Sequence, residues 1–284
     1  MSAMRIAVGF KVTPDYDALR PADWARLAAA DGDAERAEAV RYVRRVFGVF
    51  DEAALELALR LRDARAELGL ETGLAAFTVG GPEAGPFLAT LQALGFETAR
   101  VDPGPAGEHG GLDFAPAATA ALVAACAQRL GGDVLLLGTR CGPGESGVVP
   151  FLAAEVLATP CVTEVTALEP AGGERLRATF SADESPVRAT VTPPCVLAVG
   201  NAVVSLLRVP TLKDRLAVRE VPVAEYTPAD LGVDLTGAPG HAAAPTPLEP
   251  VDRSRAGLVV PGATPVDKAR ALYEDHLGAR LEHL

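Results

Sequence analysis

Apolar residues in this chain gather into short dense runs closed by glycine or proline, and the runs alternate with stretches of helical spacing. Arg5-Ile6-Ala7-Val8-Gly9-Phe10 reads as a buried first strand, ended by the turn at Pro14. Trp24, Leu27, Val40, Val43 and Val46 have helical spacing, but Asp31-Gly32-Asp33 interrupts it, so residues 17–47 receive no element. Asp51 is placed as the N-cap of a helix through Leu61: Leu55, Ala58, Leu59 and Arg62 follow the i, i+3, i+4, i+7 rule, and Gly69 supplies the stop. Residues 74–79 form a second strand, 87–95 a short helix, 98–102 a third strand and 115–130 a third helix.

The most informative stretch follows. Asp133-Val134-Leu135-Leu136-Leu137-Gly138 is an apolar strand ending in glycine, residues 139–149 are a glycine-rich loop, and Pro150 to Leu157 begins a helix. Strand, glycine loop and helix place backbone N–H groups and a helix N-terminus where they can meet a phosphate. The spacing matches neither G-x-G-x-x-G nor the Walker pattern, so a plain βα turn without ligand stands as an equal reading. A fifth strand starts at Cys161. Strands alternating with helices imply a parallel sheet with right-handed crossovers.

Beyond it the pattern changes to strict alternation. Residues 175–180 and 187–191, with Asp183-Glu184-Ser185 between them, predict an antiparallel hairpin. Residues 195–199 are another buried strand. Residues 237–250, rich in Gly, Ala and Pro, read as a flexible arm, followed by an amphipathic helix from about Pro265 to Leu277. The expected organisation is therefore an α/β domain over 1–236, and an arm and helix over 237–284 that either reach a partner subunit or fold back.

Charge narrows the function. A net charge of −11 with a pI of about 4.9 excludes nucleic acid as the main partner, since phosphate backbones need a basic surface. The first residues lack the charged and apolar regions of a signal peptide, and no apolar run is long enough to span a bilayer. Cys126, Cys141, Cys161 and Cys195 form no C-x-x-C pair and no cluster with the four histidines, which argues against zinc and for reduced thiols in a cytoplasmic protein. No catalytic constellation is visible: Ser146 has no histidine base in pattern, His109 lies in a polar Gly-rich loop, and Asp183 and Glu184 fit a hairpin turn.

In this order the segments resemble the electron transfer flavoprotein β-subunit family over nearly the whole chain. Residues 11–16 (Lys-Val-Thr-Pro-Asp-Tyr) resemble its opening loop, and residues 50–61 the helix after its Asn-Pro-Phe-Asp motif. The glycine-rich stretch aligns through Ala153, Glu155, Leu157 and Pro160 to Val162-Thr163. Residues 208–213 are similar to its Arg-Tyr-Pro-Ser-Leu-Lys run, and residues 229–234 and 255–257 follow in order. The resemblance implies a Rossmann-like core paired with an α-like subunit. It implies FAD shared with or held by that subunit, AMP or a second FAD in this chain, and no bond-making chemistry of its own. Electrons would pass between flavin dehydrogenases and a quinone oxidoreductase. It puts candidate cofactor contacts at Gly9, Lys11, Tyr16, Gly48, Val79, Gly80, Gly138, Arg140, Glu145, Ser146, Gly147, Val148 and Val149. It puts dehydrogenase docking on the segment 201–208, at Val203, Val204, Leu206 and Arg208, although a strand-core role for the apolar ones is also open. Several family side chains are replaced: the usual asparagine is Gly48, an aspartate is Pro143, a glutamine is Val148 and a glycine is Pro150. Side-chain recognition of a nucleotide is therefore expected to be weakened, and a nucleotide-free docking subunit is the alternative.

Overall fold

The computed structural model describes residues 3–30, 35, 38–104, 112, 114–142, 146–183, 185–202, 204–235, 254–255 and 257–281. The expected arm at 237–250, the loop around His109, and Pro143, Glu145, Glu184 and Val203 lie outside them.

The chain divides into two units, Met1–Leu248 and Glu249–Leu284. The first is built on a nine-stranded sheet in the order β11-β5-β4-β1-β6-β10-β7-β8-β9. Its strands are β1 (Met4–Gly9), β4 (Thr72–Val79), β5 (Glu97–Val101), β6 (Val134–Gly138), β7 (Cys161–Pro170), β8 (Leu176–Ala182), β9 (Ser185–Val191), β10 (Cys195–Val199) and β11 (Ala224–Tyr226). All neighbours from β11 to β7 are parallel. The expected hairpin is β8–β9, and β8 also pairs antiparallel with β7, so it extends the sheet. This is the anticipated α/β architecture.

Side chains alternate across the sheet and feed two cores. Met4, Ile6 and Val8 of β1, Val134 and Leu136 of β6, and Leu197 and Val199 of β10 meet α2 (Val49–Glu67) and α3 (Gly85–Ala93). Ala7, Leu135, Leu137 and Val196 meet α4 (Pro116–Arg129) and α5 (Val149–Leu157) on the opposite face. Because both faces are covered, these strands are apolar without alternation, which is why they were legible as runs. Helix α2 carries more than a stripe: Ala53 to Leu59 and Leu61 are all buried.

Two elements differ from expectation. Residues 17–47 contain helix α1 (Pro21–Ala29), entered from a 3₁₀ turn at Tyr16–Ala18, and β3 (Arg45–Phe47), which pairs antiparallel with β2 (Val12–Pro14), so Pro14 lies in a strand rather than the expected turn. Asp51 is not the N-cap of α2. The helix starts at Val49 with Gly48 as its cap, and Asp51 lies in its first turn, buried.

The second unit contains α7 (Pro265–Leu272), capped by Thr264, whose hydroxyl accepts from the Asp267 N–H. It continues through a π turn at Tyr273–Leu277 into α8 (Gly278–Leu281). Val266, Tyr273, Leu277 and Leu281 are exposed. Helix α6 (Leu212–Ala217) belongs to the first unit.

Candidate functional site

From β1 the chain runs outward through β4 to β5, then returns to lay β6 on the other side of β1. The carboxyl ends of β1 and β6 therefore flank a topological switch point, where open α/β sheets bind ligands. A cleft lies there, lined among others by Gly9, Lys11, Asp51, Gly138, Arg140 and Gly147, with Thr119 and Pro116 of α4 on its far wall.

Glycine is demanded at two of these positions. A Cβ on Gly138 would collide with the Asp51 carboxylate, and Gly147 has φ 68, in the left-handed region. From Gly147 the chain enters α5. Val148 precedes the helix, Pro150 occupies its second position without an N–H to satisfy, and no described residue accepts from the N–H groups of Gly147 or Val149. Ser146 is exposed; its Oγ lies 3.5 Å from the Val148 N–H.

Asp51 organises the inner wall. One carboxylate oxygen accepts from the N–H of Lys11 at 2.9 Å, and the other from the N–H of Gly138 at 2.9 Å. It thus ties the end of β1 to the end of β6. Burial pushes its carboxyl up to about 6, with the two amides, Lys11 and the Cys141 thiol opposing the rise. Gly48 packs on this carboxylate: a Cβ there would lie 2.5 Å from both Asp51 Oδ2 and Cys141 Sγ. The space that a side chain at 48 would take is filled by Asp51 and Cys141. Thr139 continues the wall, its N–H and Oγ1 both donating to the Val199 carbonyl.

The predicted site residues thus separate. Gly9, Lys11, Gly138, Arg140, Ser146, Gly147 and Val149 come together around the cleft. Arg140 stands over the Phe50 ring, 5.8 Å from its centroid. Gly48 lies one layer behind. Tyr16 stacks on Trp24 with centroids 6.3 Å apart. Val79 and Gly80 end β4, where the Gly80 N–H pairs with the Val101 carbonyl and Arg100 donates to the Gly80 carbonyl. Neither they nor Tyr16 line the cleft, and Val148 faces outward, 39% exposed.

The donor set suits an anion: backbone amides at a helix N-terminus, with Lys11 and Arg140 at the rim. Against it, Asp51 brings a carboxylate. The cleft measures about 120 Å³, below the roughly 300–1,000 Å³ of pockets that enclose whole small molecules. It has the scale of a phosphate group rather than of a whole nucleotide. A larger, open cleft of about 710 Å³ lies among residues 18–44 and shares no residue with the glycine loop. Among the described residues no acidic, histidine or cysteine cluster could hold a metal, and no helix is long and apolar enough to cross a membrane. Burial raises the Cys126 and Cys195 thiols to about 12 and about 11.

The segment expected to dock a dehydrogenase follows β10, which ends at Val199. Its described residues between 201 and 210 form no strand, so the strand-core alternative does not hold for Val204 or Leu206. Val204 is half-buried and Leu207 packs inward on the core. Leu206 is 74% exposed, and beyond it stand Val209 at 82%, Leu212 at 73% and Leu216 at 61%, none of which the pattern singled out. Arg208 turns inward and pairs with Glu56 at 3.0 Å and Asp63 at 2.6 Å. Glu56 and Asp63 also have local partners in Arg60 and Arg62, but their pairing with Arg208, 152 and 145 residues away, could not be seen in the sequence.

A doubly wound, mostly parallel α/β sheet with a donor-lined cleft at its switch point is the class of architecture that binds ligands at the carboxyl ends of its strands. The family model described as "Electron transfer flavoprotein domain" matches residues 40–231. The chain belongs to the electron transfer flavoprotein family. It is 28% identical to "Putative electron transfer flavoprotein subunit YgcR" of Escherichia coli (strain K12), over 98% of this chain and 100% of that one. It is also 28% identical to "Electron transfer flavoprotein subunit beta" of Mycobacterium tuberculosis (strain ATCC 25618 / H37Rv), over 75% of this chain and 78% of that one. The Mycobacterium leprae (strain TN) subunit of the same name is 27% identical over 76% and 78%.

Proposed function

We propose that this chain is the β-like subunit of a heterodimeric electron transfer flavoprotein, carrying electrons from a flavin dehydrogenase to a quinone-linked acceptor. An α-like subunit holds the redox FAD, which supplies the electron chemistry. This chain contributes an adenine-nucleotide anchor and a docking surface. The observation that carries the reading is the convergence, at the β1–β6 switch point, of Gly147 and Val149 at the start of α5 with Lys11 and Arg140. That arrangement favours a phosphate of AMP or of a second, flavin-bearing nucleotide. The docking surface is Leu206 with Val209 and Leu212, whose exposure suits an apolar contact with the dehydrogenase.

A second reading, a nucleotide-free docking subunit, draws on the small cleft, the Asp51 carboxylate and the missing N–H of Pro150. Calorimetric titration of AMP, ADP and FAD into the purified chain and into Gly147→Asp separates the two. Binding that is lost in the variant supports the anchor, because Asp at φ 68 adds strain and negative charge together. Tight binding unaffected by Gly147→Asp removes the loop from the site. No binding of any nucleotide, with normal assembly, favours the second reading.

A further inference from the structure

The loop that offers Leu206 and Val209 and leads into Leu212 of α6 forms no strand or helix among its described residues 201–210, yet it is held at two successive amides. The Leu207 N–H donates to Glu52 Oε1 at 3.1 Å, and the Arg208 N–H donates to Glu56 Oε2 at 3.1 Å. The Arg208 guanidinium then grips Glu56 through Nε and Nη2, and reaches Asp63 with Nη1. Glu56 is 3% exposed, and Arg60, one turn further on, donates to its Oε1, the oxygen that also accepts from Arg208 Nη2. A buried carboxylate with this many donors is fixed in position. Burial pushes its carboxyl up, but the bonds from Arg208 and Arg60 outweigh that and hold it below the ordinary range.

We propose that Glu52 and Glu56 of α2 are positioning residues for docking: they clamp residues 207–208 so that Leu206, Val209 and Leu212 stand outward together. The inference rests on the reading of that surface as the dehydrogenase contact. Its geometric content is independent of it. Two acids on one rigid, buried helix replace the hydrogen bonds that a strand or turn would give the loop. Because Leu207 is packed on the core between the exposed Leu206 and Val209, a slip of the clamp would turn apolar side chains the wrong way. The same bonds commit the Arg208 guanidinium to Glu56 and Asp63.

The test uses the full complex with its α-like subunit. Amide hydrogen exchange of Leu207 and Arg208 is followed in wild type, Glu56→Gln, Glu52→Gln and Leu212→Ser. Flavin reduction is followed with a flavin dehydrogenase chosen because it reduces the wild-type complex. Glu56→Gln is expected to speed exchange at 207–208 at least tenfold. It should raise KM for the dehydrogenase about tenfold with kcat and the flavin spectrum unchanged. Glu52→Gln should show the same split more weakly, with the effect on Leu207, and it decides the matter if Glu56→Gln does not fold. Leu212→Ser should raise KM and leave exchange at 207–208 alone. If Leu212→Ser leaves KM unchanged, the docking assignment fails. If it raises KM while neither glutamate variant alters exchange or KM, the docking surface stands and the positioning role is overturned. Glutamate variants that lose melting temperature and kcat in step, with KM constant, also overturn it, because that is the signature of general structural damage.

Discussion

Asp51→Asn isolates the cost of holding a buried carboxylate between two backbone amides. The substitution keeps the shape and removes the charge. Asparagine Oδ1 can accept from Lys11 or from Gly138 but not from both, so one N–H faces an NH₂ group instead of an acceptor. One unsatisfied donor costs about 1–3 kcal/mol. The charge acts in the opposite direction. The folded carboxyl titrates at about 6 rather than the ordinary 3.8, and at 1.36 kcal/mol per pH unit that difference is about 3 kcal/mol. Because the folded value is the raised one, this stability is fully present below pH 3.8 and is lost as pH rises through about 6. Roughly half of it, about 1.5 kcal/mol, is lost between pH 5 and pH 8.

The expected result of urea denaturation follows with its sign. At pH 5 the gap between the variant and wild type is the cost of the unsatisfied donor, about 1–3 kcal/mol, less the half of the charge penalty, about 1.5 kcal/mol, that wild type already carries there. By pH 8 the gap has narrowed by about 1.5 kcal/mol, because only wild type carries the charge penalty while every other titrating group is common to both. The same variant should bind AMP more tightly at pH 8, and its affinity should depend less on pH between 5 and 8. A gap that widens toward pH 8 would refute the reasoning: it would mean that the two amides stabilise the ionised carboxylate by more than burial penalises it.

Two further outcomes concern the ends of elements. Ala158 closes α5 at φ 51, a conformation that glycine adopts without strain, so Ala158→Gly should stabilise the fold by about 0.5–1 kcal/mol and raise the melting temperature by about 1–3 °C. Removing residues 249–284 should leave the circular dichroism of the first unit in place and lower co-purification with the α-like subunit at least tenfold, since α7 and α8 expose Val266, Tyr273, Leu277 and Leu281; full retention would show that the segment is not the tether.

The parts legible in the sequence are those fixed by local pattern. Residues 195–199 are an apolar run between prolines and a glycine, and β10 occupies the same residues. The hairpin was legible because β8 and β9 are partly open to solvent and alternate, while β1 and β6 showed as continuous runs because both their faces are covered. What escaped was non-local. The partner of β2 is β3, some thirty residues on, and each has three residues, too short to show a period. Asp51 satisfied a capping rule on paper, but its carboxylate goes to amides 40 and 87 residues away. The resemblance put docking at Val203, Val204, Leu206 and Arg208; Leu206 is exposed, and the further exposed apolar residues Val209, Leu212 and Leu216 escaped notice because the turn and short helix that hold them carry no apolar period.

The two functional regions share their supports, and this bears on the energetics of docking. Thr139, at the start of the glycine loop, donates twice to the Val199 carbonyl, two residues before the proposed docking segment 201–208. At the other end of that segment, Glu52 and Glu56 hold Leu207 and Arg208 from the same helix whose first turn carries Asp51 to the cleft. A loop fixed at both ends has already lost most of the freedom that a partner would otherwise have to remove, at about 0.5–1.5 kcal/mol for each side chain immobilised. On the proposed reading of this loop as the docking surface, a small apolar patch on it would bind usefully while remaining weak enough to release, as a shuttle between donor and acceptor requires. A floppy loop of the same composition would need a larger contact for the same affinity, and larger contacts are slow to leave. Rigidity at Glu52 and Glu56 and smallness of the patch at Leu206, Val209 and Leu212 are thus two parts of one arrangement.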